Sequence, residues 1–137
     1  MAQKNIYEVS AKILIANELP KYYPEFKYHN KLMIIDSETD LEKAILDNPW
    51  INKEKVVVKP DQLFGKRGKA NLLLLDATCE EMKDFCHTNL DKVYEIGNVK
   101  GALKRLLVEP FIPHEKEYYV SITTQKEGDV IHFSFEG

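Results

Sequence analysis

A basic segment at residues 56–69 holds the side chains best suited to chemistry in this sequence. Three valines form a short apolar strand, and a lysine, a proline and a loop rich in cations and glycine follow. Lysine binds phosphate as a point charge, arginine binds it as a planar fork, and glycine lets backbone N–H groups approach an oxyanion closely. The segment therefore suits a polyanion, although a strand followed by a solvated basic turn explains it about equally well. Its spacing is not that of a P-loop. The candidate phosphate ligands are Lys59, Arg67 and Gly68, with Lys66 as a secondary candidate.

The segment 107–113 is a second candidate site, because Pro110 and Pro113 hold it extended. An extended backbone outside a sheet ladder exposes its carbonyl and N–H groups in alternation. The carbonyl of Pro110 and the N–H of Ile112 would match the donor and the acceptor on the edge of an adenine, and Pro110 can act only as the acceptor. The residues alone favour a simpler interpretation, in which the prolines close a connection at the edge of a sheet.

Glu117 follows this segment and could accept a hydrogen bond from a ribose hydroxyl. It belongs to the charged run 115–117, for which a solvated glutamate is the stronger interpretation. The four histidines do not form a ligand set, and the sequence contains neither a metal-binding motif nor a nucleophile elbow. We therefore predict neither a catalytic residue nor a metal ligand in this chain.

The periodicity of apolar residues predicts the elements that position these candidates. It indicates a first helix that ends near Leu19-Pro20, with an apolar face of Ile6, Val9, Ile13 and Ala16. Thr39 with Glu42, and Thr78 with Glu81, have the spacing of capping boxes for two further helices. Strands are predicted at 32–35, 56–59, 72–75 and 103–108, followed by a hairpin of 118–124 with 131–135. The sum is an α+β domain with helices packed on a largely antiparallel sheet.

Length and composition narrow the class of protein. The 137 residues suit a single domain, and a net charge of −3 argues against a general nucleic-acid binder. No apolar run approaches the length of a membrane span, and no secretory signal is visible. Cys79 and Cys86 are two turns apart on one predicted helix, too far for a disulfide, which indicates a reduced, cytoplasmic protein. The last strand stops at Phe135-Glu136-Gly137 directly after its apolar alternation, so we expect the chain to be truncated at 137.

These segments together resemble the ATP-citrate lyase family, whose enzyme is also called ATP citrate synthase. The resemblance covers most of the chain from about Leu41 onward and, more loosely, the first helix. Its most specific part is Lys-Pro-Asp-Gln-Leu at 59–63 followed by Lys-Arg-Gly-Lys at 66–69. The related succinyl-CoA synthetase β subunit carries a more glycine-rich version of that loop. Further matching segments are Asn48-Pro49-Trp50, the run from Glu109 to His114, the run from Glu117 to Val120, and the ending from Glu127 to Gly137.

The resemblance implies the N-terminal portion of an ATP-grasp fold, in which a nucleotide lies between two α+β subdomains. Residues 1–137 would form a single domain, the N-terminal part of that nucleotide-binding unit. Lys59 and Arg67 would hold the phosphates, and Gly68 would supply a backbone N–H. Pro110 and Ile112 would take the adenine edge, and Glu117 would take the ribose. Lys66 and Glu109 are secondary candidates beside them.

The implied reaction uses ATP to convert citrate and CoA into acetyl-CoA and oxaloacetate. The Mg²⁺ ligands, the phosphorylated histidine and the citrate and CoA sites of the family would lie outside this chain, so the chain alone should be inactive. Its partners would be ATP or ADP and the remainder of ATP-citrate lyase, in the same polypeptide or a companion subunit of an oligomeric complex. Neither nucleic acid nor a membrane is an expected partner. Two alternatives remain: the β subunit of another acyl-CoA synthetase, and a non-catalytic nucleotide-binding or interaction module.

Overall fold

The computed structural model describes residues 5–62, 72–96 and 99–137. In that part of the chain, helices alternate with short strands, and no helix is long and apolar enough to cross a membrane. The helices are α1 (Glu8–Tyr22), α2 (Leu41–Asp47), a 3-10 helix (Pro49–Asn52) and α3 (Cys79–Asn89). The strands are β1 (Met33–Asp36), β2 (Val56–Pro60), β3 (Leu74–Ala77), β4 (Val93–Ile96), β5 (Val99–Ala102), β6 (Arg105–Pro110), β7 (Tyr119–Gln125) and β8 (Gly128–Ser134).

A four-stranded sheet with the order β1-β6-β2-β3 is the framework of the fold. β6 is an inner strand that pairs with β1 on one side and with β2 on the other, so that Val108 lies opposite both Met33 and Val58. β4 with β5 and β7 with β8 form two separate hairpins. All of these pairings in the described residues are antiparallel, which confirms the predicted α+β class with a largely antiparallel sheet.

The main hydrophobic core lies on one face of the sheet, against α2, the 3-10 helix and α3. Successive side chains of a strand point to opposite faces, so every second residue of each strand enters this core. The strand residues in the core include Met33, Ile35, Val56, Val58, Leu106 and Val108, and the helices add Ile45, Ile51, Met82 and Cys86. Met82 and Cys86 form the part of α3 that enters this core, where both are completely buried.

Helix α1 lies against the opposite face of the sheet. Leu107 points to that face and is fully buried, and Val9 is the buried residue of α1. The predicted helix is confirmed, but its predicted apolar face is right only in part: Val9 is buried and Ala16 half-buried, whereas Ile6 is 56% and Ile13 47% exposed. The helix ends at Tyr22, two residues beyond the predicted end near Leu19-Pro20. The residues that α1 turns towards the sheet include two charged ones, Glu8 and Lys12, which the apolar periodicity could not indicate.

The two predicted capping boxes have different outcomes. At α3, Thr78 accepts from the Glu81 N–H while the Glu81 carboxylate accepts from the Thr78 N–H, which confirms the prediction. At α2 the prediction was wrong, because Asp40 is the N-cap and accepts from the Lys43 N–H at 3.0 Å. The Thr39 hydroxyl instead donates to Asp36 at 2.7 Å and closes the turn after β1.

The strand predictions were close but shifted. β3 starts and ends two residues later than the run of leucines, and β6 runs from Arg105 through Pro110 instead of stopping at Val108. The hairpin of β4 and β5 was not predicted. The hairpin of β7 and β8 is confirmed, with Ile122 opposite Ile131 and Gly128 at φ 140° just after its two-residue loop. One face of that hairpin is apolar and exposed in the described chain, with Val120, Ile122, Ile131, Phe133 and Phe135 each more than half exposed.

Candidate nucleotide site

Lys59 lies on the face of the sheet that α1 covers. The sequence predicted a strand at 56–59 with this lysine at its end, but β2 continues through Pro60, which lies buried opposite Leu106. The Lys59 side chain is 18% exposed, and its Nζ contacts Oε1 of Glu8 at 2.6 Å and Oε1 of Glu109 at 2.5 Å. A helix and a neighbouring strand therefore each supply one carboxylate to this ammonium group.

Lys12 completes a cluster of four charges with Lys59, Glu8 and Glu109, called here the charge quartet. Its Nζ contacts Oε2 of Glu109 at 2.5 Å and Oε1 of Glu8 at 3.0 Å. Burial alone would raise the pKa of Glu8, but hydrogen bonds from Lys59 and Lys12 outweigh it and lower that pKa to about 2. The pKa of Glu109 is lowered and that of Lys12 is raised by the same contacts against the effect of burial. Glu8 and Glu109 are therefore carboxylates and Lys12 is an ammonium group at neutral pH. The formal charges of two lysines and two glutamates sum to zero.

Tyr28 places its hydroxyl beside the charge quartet. The hydroxyl oxygen is buried and has no hydrogen-bond partner among the residues that the structure describes. Burial raises the pKa of Tyr28, the nearby Glu109 carboxylate raises it further, and the Lys59 ammonium lowers it, so both charges act on this hydroxyl. Buried polar groups are normally paired, so an unpaired hydroxyl here marks a position where a polar ligand atom would be stabilised.

Asp61 and Gln62 fix the backbone that leads from β2 into residues 63–71. The Asp61 side chain is fully buried, and its carboxylate accepts from Arg105 Nε at 3.0 Å and from the Val9 N–H at 3.3 Å. Gln62 donates from Nε2 to the Ala102 carbonyl at 3.1 Å and accepts at Oε1 from the Lys104 N–H at 2.6 Å. These contacts tie Asp61 and Gln62 to α1, to β5 and to β6.

The structure changes the prediction for the adenine-binding segment at one residue. Pro110 is not outside the ladder, because it ends β6 opposite Val56, and the next residue donates its N–H to the Lys55 carbonyl at 2.8 Å. The two groups of one peptide unit point in opposite directions, so the Pro110 carbonyl points away from β2. Ile112 lies beyond the strand and is 59% exposed. The Ile112 carbonyl contacts Nδ1 of His114 at 2.9 Å. The Ile112 N–H is the group predicted to pair with the adenine edge, and this contact does not involve it.

Glu117 is connected to this segment through His114. Nε2 of His114 contacts Oε1 of Glu117 at 2.7 Å, and both side chains are exposed. The hydrogen bond to the Ile112 carbonyl and the contact with Glu117 raise the pKa of His114. The structure thus brings Ile112 and Glu117 together through a histidine that the sequence analysis did not select.

The sheet register relates the phosphate candidate to the adenine candidate. Lys59 lies opposite Leu107 on the neighbouring strand, three residues from Pro110. At the rise of a β-strand, this corresponds to about 10 Å along the sheet. Lys66, Arg67 and Gly68 lie outside the described residues. Sequence reasoning missed Glu8 and Lys12, although the spacing of four residues between them is the signal of a paired glutamate and lysine on one helix face.

The described residues do not offer a magnesium site. Among them, no three His, Cys, Asp or Glu side chains are grouped closely enough to hold a metal ion. The two carboxylates nearest the phosphate candidate, Glu8 and Glu109, each contact two lysines, so a divalent cation would have to displace both. The residues present here therefore do not fit a resident Mg²⁺, and no step is assigned to one.

Comparison with known proteins identifies the class of this domain and then its family. The family model of the ATP-citrate synthase ATP-grasp domain matches residues 2–137. The alpha chain protein 2 of ATP-citrate synthase from Arabidopsis thaliana is 37% identical over 134 residues, which are 98% of this chain and 31% of that protein. ATP-citrate synthase from Bos taurus is 38% identical over 114 residues, 82% of this chain and 10% of that protein. This chain belongs to the ATP-citrate synthase family, through its ATP-grasp domain.

A solved structure supports the same assignment. The structure of ATP citrate lyase from Methanothrix soehngenii in complex with citrate and coenzyme A superimposes with a TM-score of 0.92 and 46% identity. It covers 99% of this chain, whereas the chain covers 33% of it. The chain thus spans at most about a third of the length of these relatives.

Proposed function

We propose that this chain is the nucleotide-binding part of an ATP-citrate lyase, which makes acetyl-CoA and oxaloacetate from citrate, CoA and ATP. Residues 1–137 are then one domain, the N-terminal part of an ATP-grasp unit. The observation that carries the proposal is the position of Lys59 in a chain of the ATP-grasp family. Lys59 lies on the central sheet opposite Leu107, three residues or about 10 Å along the strands from Pro110.

The proposed roles follow the order of groups in a nucleotide. Lys59 and Arg67 hold the phosphates, Gly68 supplies a backbone N–H, and Lys66 adds positive charge nearby. The Pro110 carbonyl and the Ile112 N–H take the donor and acceptor of the adenine edge. Glu117, held by His114 beside Ile112, accepts from the ribose hydroxyl. Glu109 acts through Lys59, whose ammonium group it contacts at 2.5 Å.

Mg²⁺ belongs to this proposal as a partner of the phosphates held by ligands outside the chain. There it would offset negative charge on the phosphates. Lys59 and Arg67 position the phosphates and offset part of their negative charge. The chain alone then binds nucleotide without turning over citrate.

The exposed apolar face of the β7–β8 hairpin is the proposed contact with the remainder of the enzyme, in the same polypeptide or in a companion subunit of an oligomeric complex. Val120 and Ile122 lie opposite Phe133 and Ile131, and all four side chains are more than half exposed. Large contiguous exposed apolar patches mark sites of contact with other protein surfaces. In the complete enzyme, Ile122→Lys should weaken assembly in size-exclusion chromatography, whereas Thr123→Lys, on the opposite face of β7, should not. Equal effects of the two variants would contradict this contact.

The proposed location is the cytoplasm. Both cysteines are free thiols, Cys86 buried and Cys79 half-buried. Reduced thiols suit a reducing compartment.

Calorimetric titration of the complete enzyme with ATP tests the proposal. Lys59→Met and Arg67→Ala should each weaken ATP binding about tenfold to a hundredfold, the factor expected for a hydrogen bond between charged groups, and should leave citrate affinity unchanged. Lys43→Met, at an exposed lysine of α2, is the matched control. Lys59→Arg retains the charge and should lose less affinity than Lys59→Met, which separates loss of charge from a fault in folding. Normal ATP affinity in a folded Lys59→Met variant would remove Lys59 from the site.

A further inference from the structure

In the charge quartet, carboxylates already occupy the lysine that is proposed to bind phosphate. An ammonium group has three N–H donors. The carboxylates of Glu8 and Glu109 already contact the ammonium group of Lys59. Because two lysines and two glutamates sum to zero charge, an arriving phosphate meets a neutral cluster instead of an available cation. Attraction to Lys59 would be offset at similar distances by repulsion from Glu8 and Glu109. A phosphate can therefore bind here with full strength only if one carboxylate moves.

Geometry shows which carboxylate can move. Glu109 is the more enclosed of the two, with a side chain 12% exposed, and it uses separate oxygens for Lys59 and Lys12. Glu8 is 24% exposed and directs a single oxygen, Oε1, at both lysines, at 2.6 Å to Lys59 and 3.0 Å to Lys12. The greater exposure of Glu8 makes it the carboxylate that can shift from Lys59 towards Lys12, its neighbour one turn further along the same helix. Lys12 and Glu8 are spaced four residues apart on one helix face, where such a pair is stable by itself.

We propose that Glu8 is an internal competitor for the nucleotide: its carboxylate occupies Lys59 until a phosphate oxygen displaces it, and Lys12 then holds the displaced carboxylate. This rests on the proposed role of Lys59 in binding phosphate. The exchange substitutes one anion for another on the same ammonium group, so Lys59 is never left unpaired in its half-buried position. Glu8 and Lys12 thereby set nucleotide affinity from a helix that the sequence analysis treated as a packing element.

The Tyr28 hydroxyl supports a polar ligand atom at this position independently of the charges. It is buried beside the quartet and lacks a hydrogen-bond partner among the described residues. A phosphate oxygen on Lys59 would supply one. If the Glu8 carboxylate stayed on Lys59, the Tyr28 hydroxyl would still lack a hydrogen-bond partner among the described residues.

The experiment is calorimetric titration of the complete enzyme with ATP, with inorganic triphosphate and with adenosine. Glu8→Gln should bind ATP and triphosphate about fivefold more tightly, the factor that one ion pair of about 1 kcal/mol carries, and should bind adenosine with unchanged affinity. Glu18→Gln is the matched control, because Glu18 lies on the same helix and pairs only with a lysine of its own turn among the described residues. It should leave all three affinities unchanged. Melting temperatures verify that each variant is folded.

Lys12 gives the second arm. Lys12→Met leaves Glu8 with Lys59 as its lysine partner, so ATP binding should weaken about fivefold, and adding Glu8→Gln should restore it. This reversal of sign is not expected if both residues only support the helix, because each substitution would then weaken binding.

The outcomes separate the two proposals. Unchanged or weaker ATP binding in Glu8→Gln, or an equal gain for adenosine, overturns the competition by Glu8. If Lys59→Met loses ATP binding at the same time, the proposed role of Lys59 in the nucleotide site still stands. If Lys59→Met binds ATP normally, the proposed function of Lys59 fails, and the competition fails with it.

Discussion

Replacing Asp61 by alanine should destabilise the fold more than any other single loss of charge in the described residues. The carboxylate is fully buried and is shared between the Arg105 guanidinium at 3.0 Å and the Val9 N–H at 3.3 Å. Breaking one side of a fully buried ion pair costs about 3–5 kcal/mol. The Arg105 side chain is 32% exposed and also lies over the Tyr7 ring at 4.7 Å, so it keeps water and one other partner. We therefore expect a loss of about 2–3 kcal/mol in the free energy of unfolding.

The role of Asp61 at the start of α1 adds a second, smaller contribution. Tyr7 is the N-cap of α1 and its side chain makes no capping hydrogen bond, so Asp61 accepts from the first turn in its place. Asp61→Asn retains an acceptor for Val9 and loses the charge, which should cost about 1–2 kcal/mol. The order of stability should be wild type, then Asp61→Asn, then Asp61→Ala.

Urea denaturation followed by circular dichroism measures these differences, and thermal unfolding gives an independent value. At about 3–5 °C per kcal/mol for a domain of this size, Asp61→Ala should melt about 10 °C lower. Asp47→Asn is the matched control, since its partner Lys43 is exposed and the pair lies on the surface of α2, and it should leave the midpoint unchanged. An Asp61→Ala midpoint equal to that of the wild type, or an Asp61→Asn variant less stable than Asp61→Ala, would refute this account.

Three further predictions concern local features. Thr78→Ala removes the acceptor of the capping box at α3 and should lower the free energy of unfolding by about 1 kcal/mol, whereas Thr88→Ala on an exposed position of α3 should not, and equal urea midpoints would contradict this. Because the pKa of Glu8 is lowered from 4.5 to about 2, its ionised carboxylate stabilises the fold at pH values above 4.5. This stabilisation should be lost as the pH falls from 4.5 towards 2, so the melting temperature should fall over that range, and it should fall less in Glu8→Gln. Burial raises the pKa of Cys86 to about 12, so a thiol reagent at pH 8 should modify it only after unfolding; rapid labelling of the native chain would show that the thiol is accessible.

Features governed by neighbours in sequence were predictable. The capping box of Thr78 and Glu81 is one example, because both hydrogen bonds form within three residues. The β7–β8 hairpin is another, since alternation fixes which side chains share a face and the short loop fixes the register. The family resemblance rested on such local segments as well, and the family assignment was confirmed.

Features governed by topology were not predictable in the same way. Lys12 and Glu109 are 97 residues apart in sequence, and Asp61 is 44 residues from Arg105. Nothing local indicates that these charges meet. The apolar pattern of α1 was misleading for the same reason: the sheet face that receives this helix carries Lys59 and Glu109, so the helix turns charged residues towards it. The site roles of Arg67, Gly68, Pro110, Ile112 and Glu117 remain predictions.

The position of β6 in the sheet has a consequence for the synthesis of the protein. β1, β2 and β3 leave the ribosome before β6, yet among the described residues β1 pairs only with β6, which separates it from β2. Until residue 110 has cleared the exit tunnel, the nascent chain therefore carries unpaired strand edges lined with valine and isoleucine, which favour association with other chains. Pairing across such sequence distances is slow. The four-stranded framework can therefore close only once β6 has been made, so the edges of β1 and β2 await their partner while residues 78–104 are synthesised.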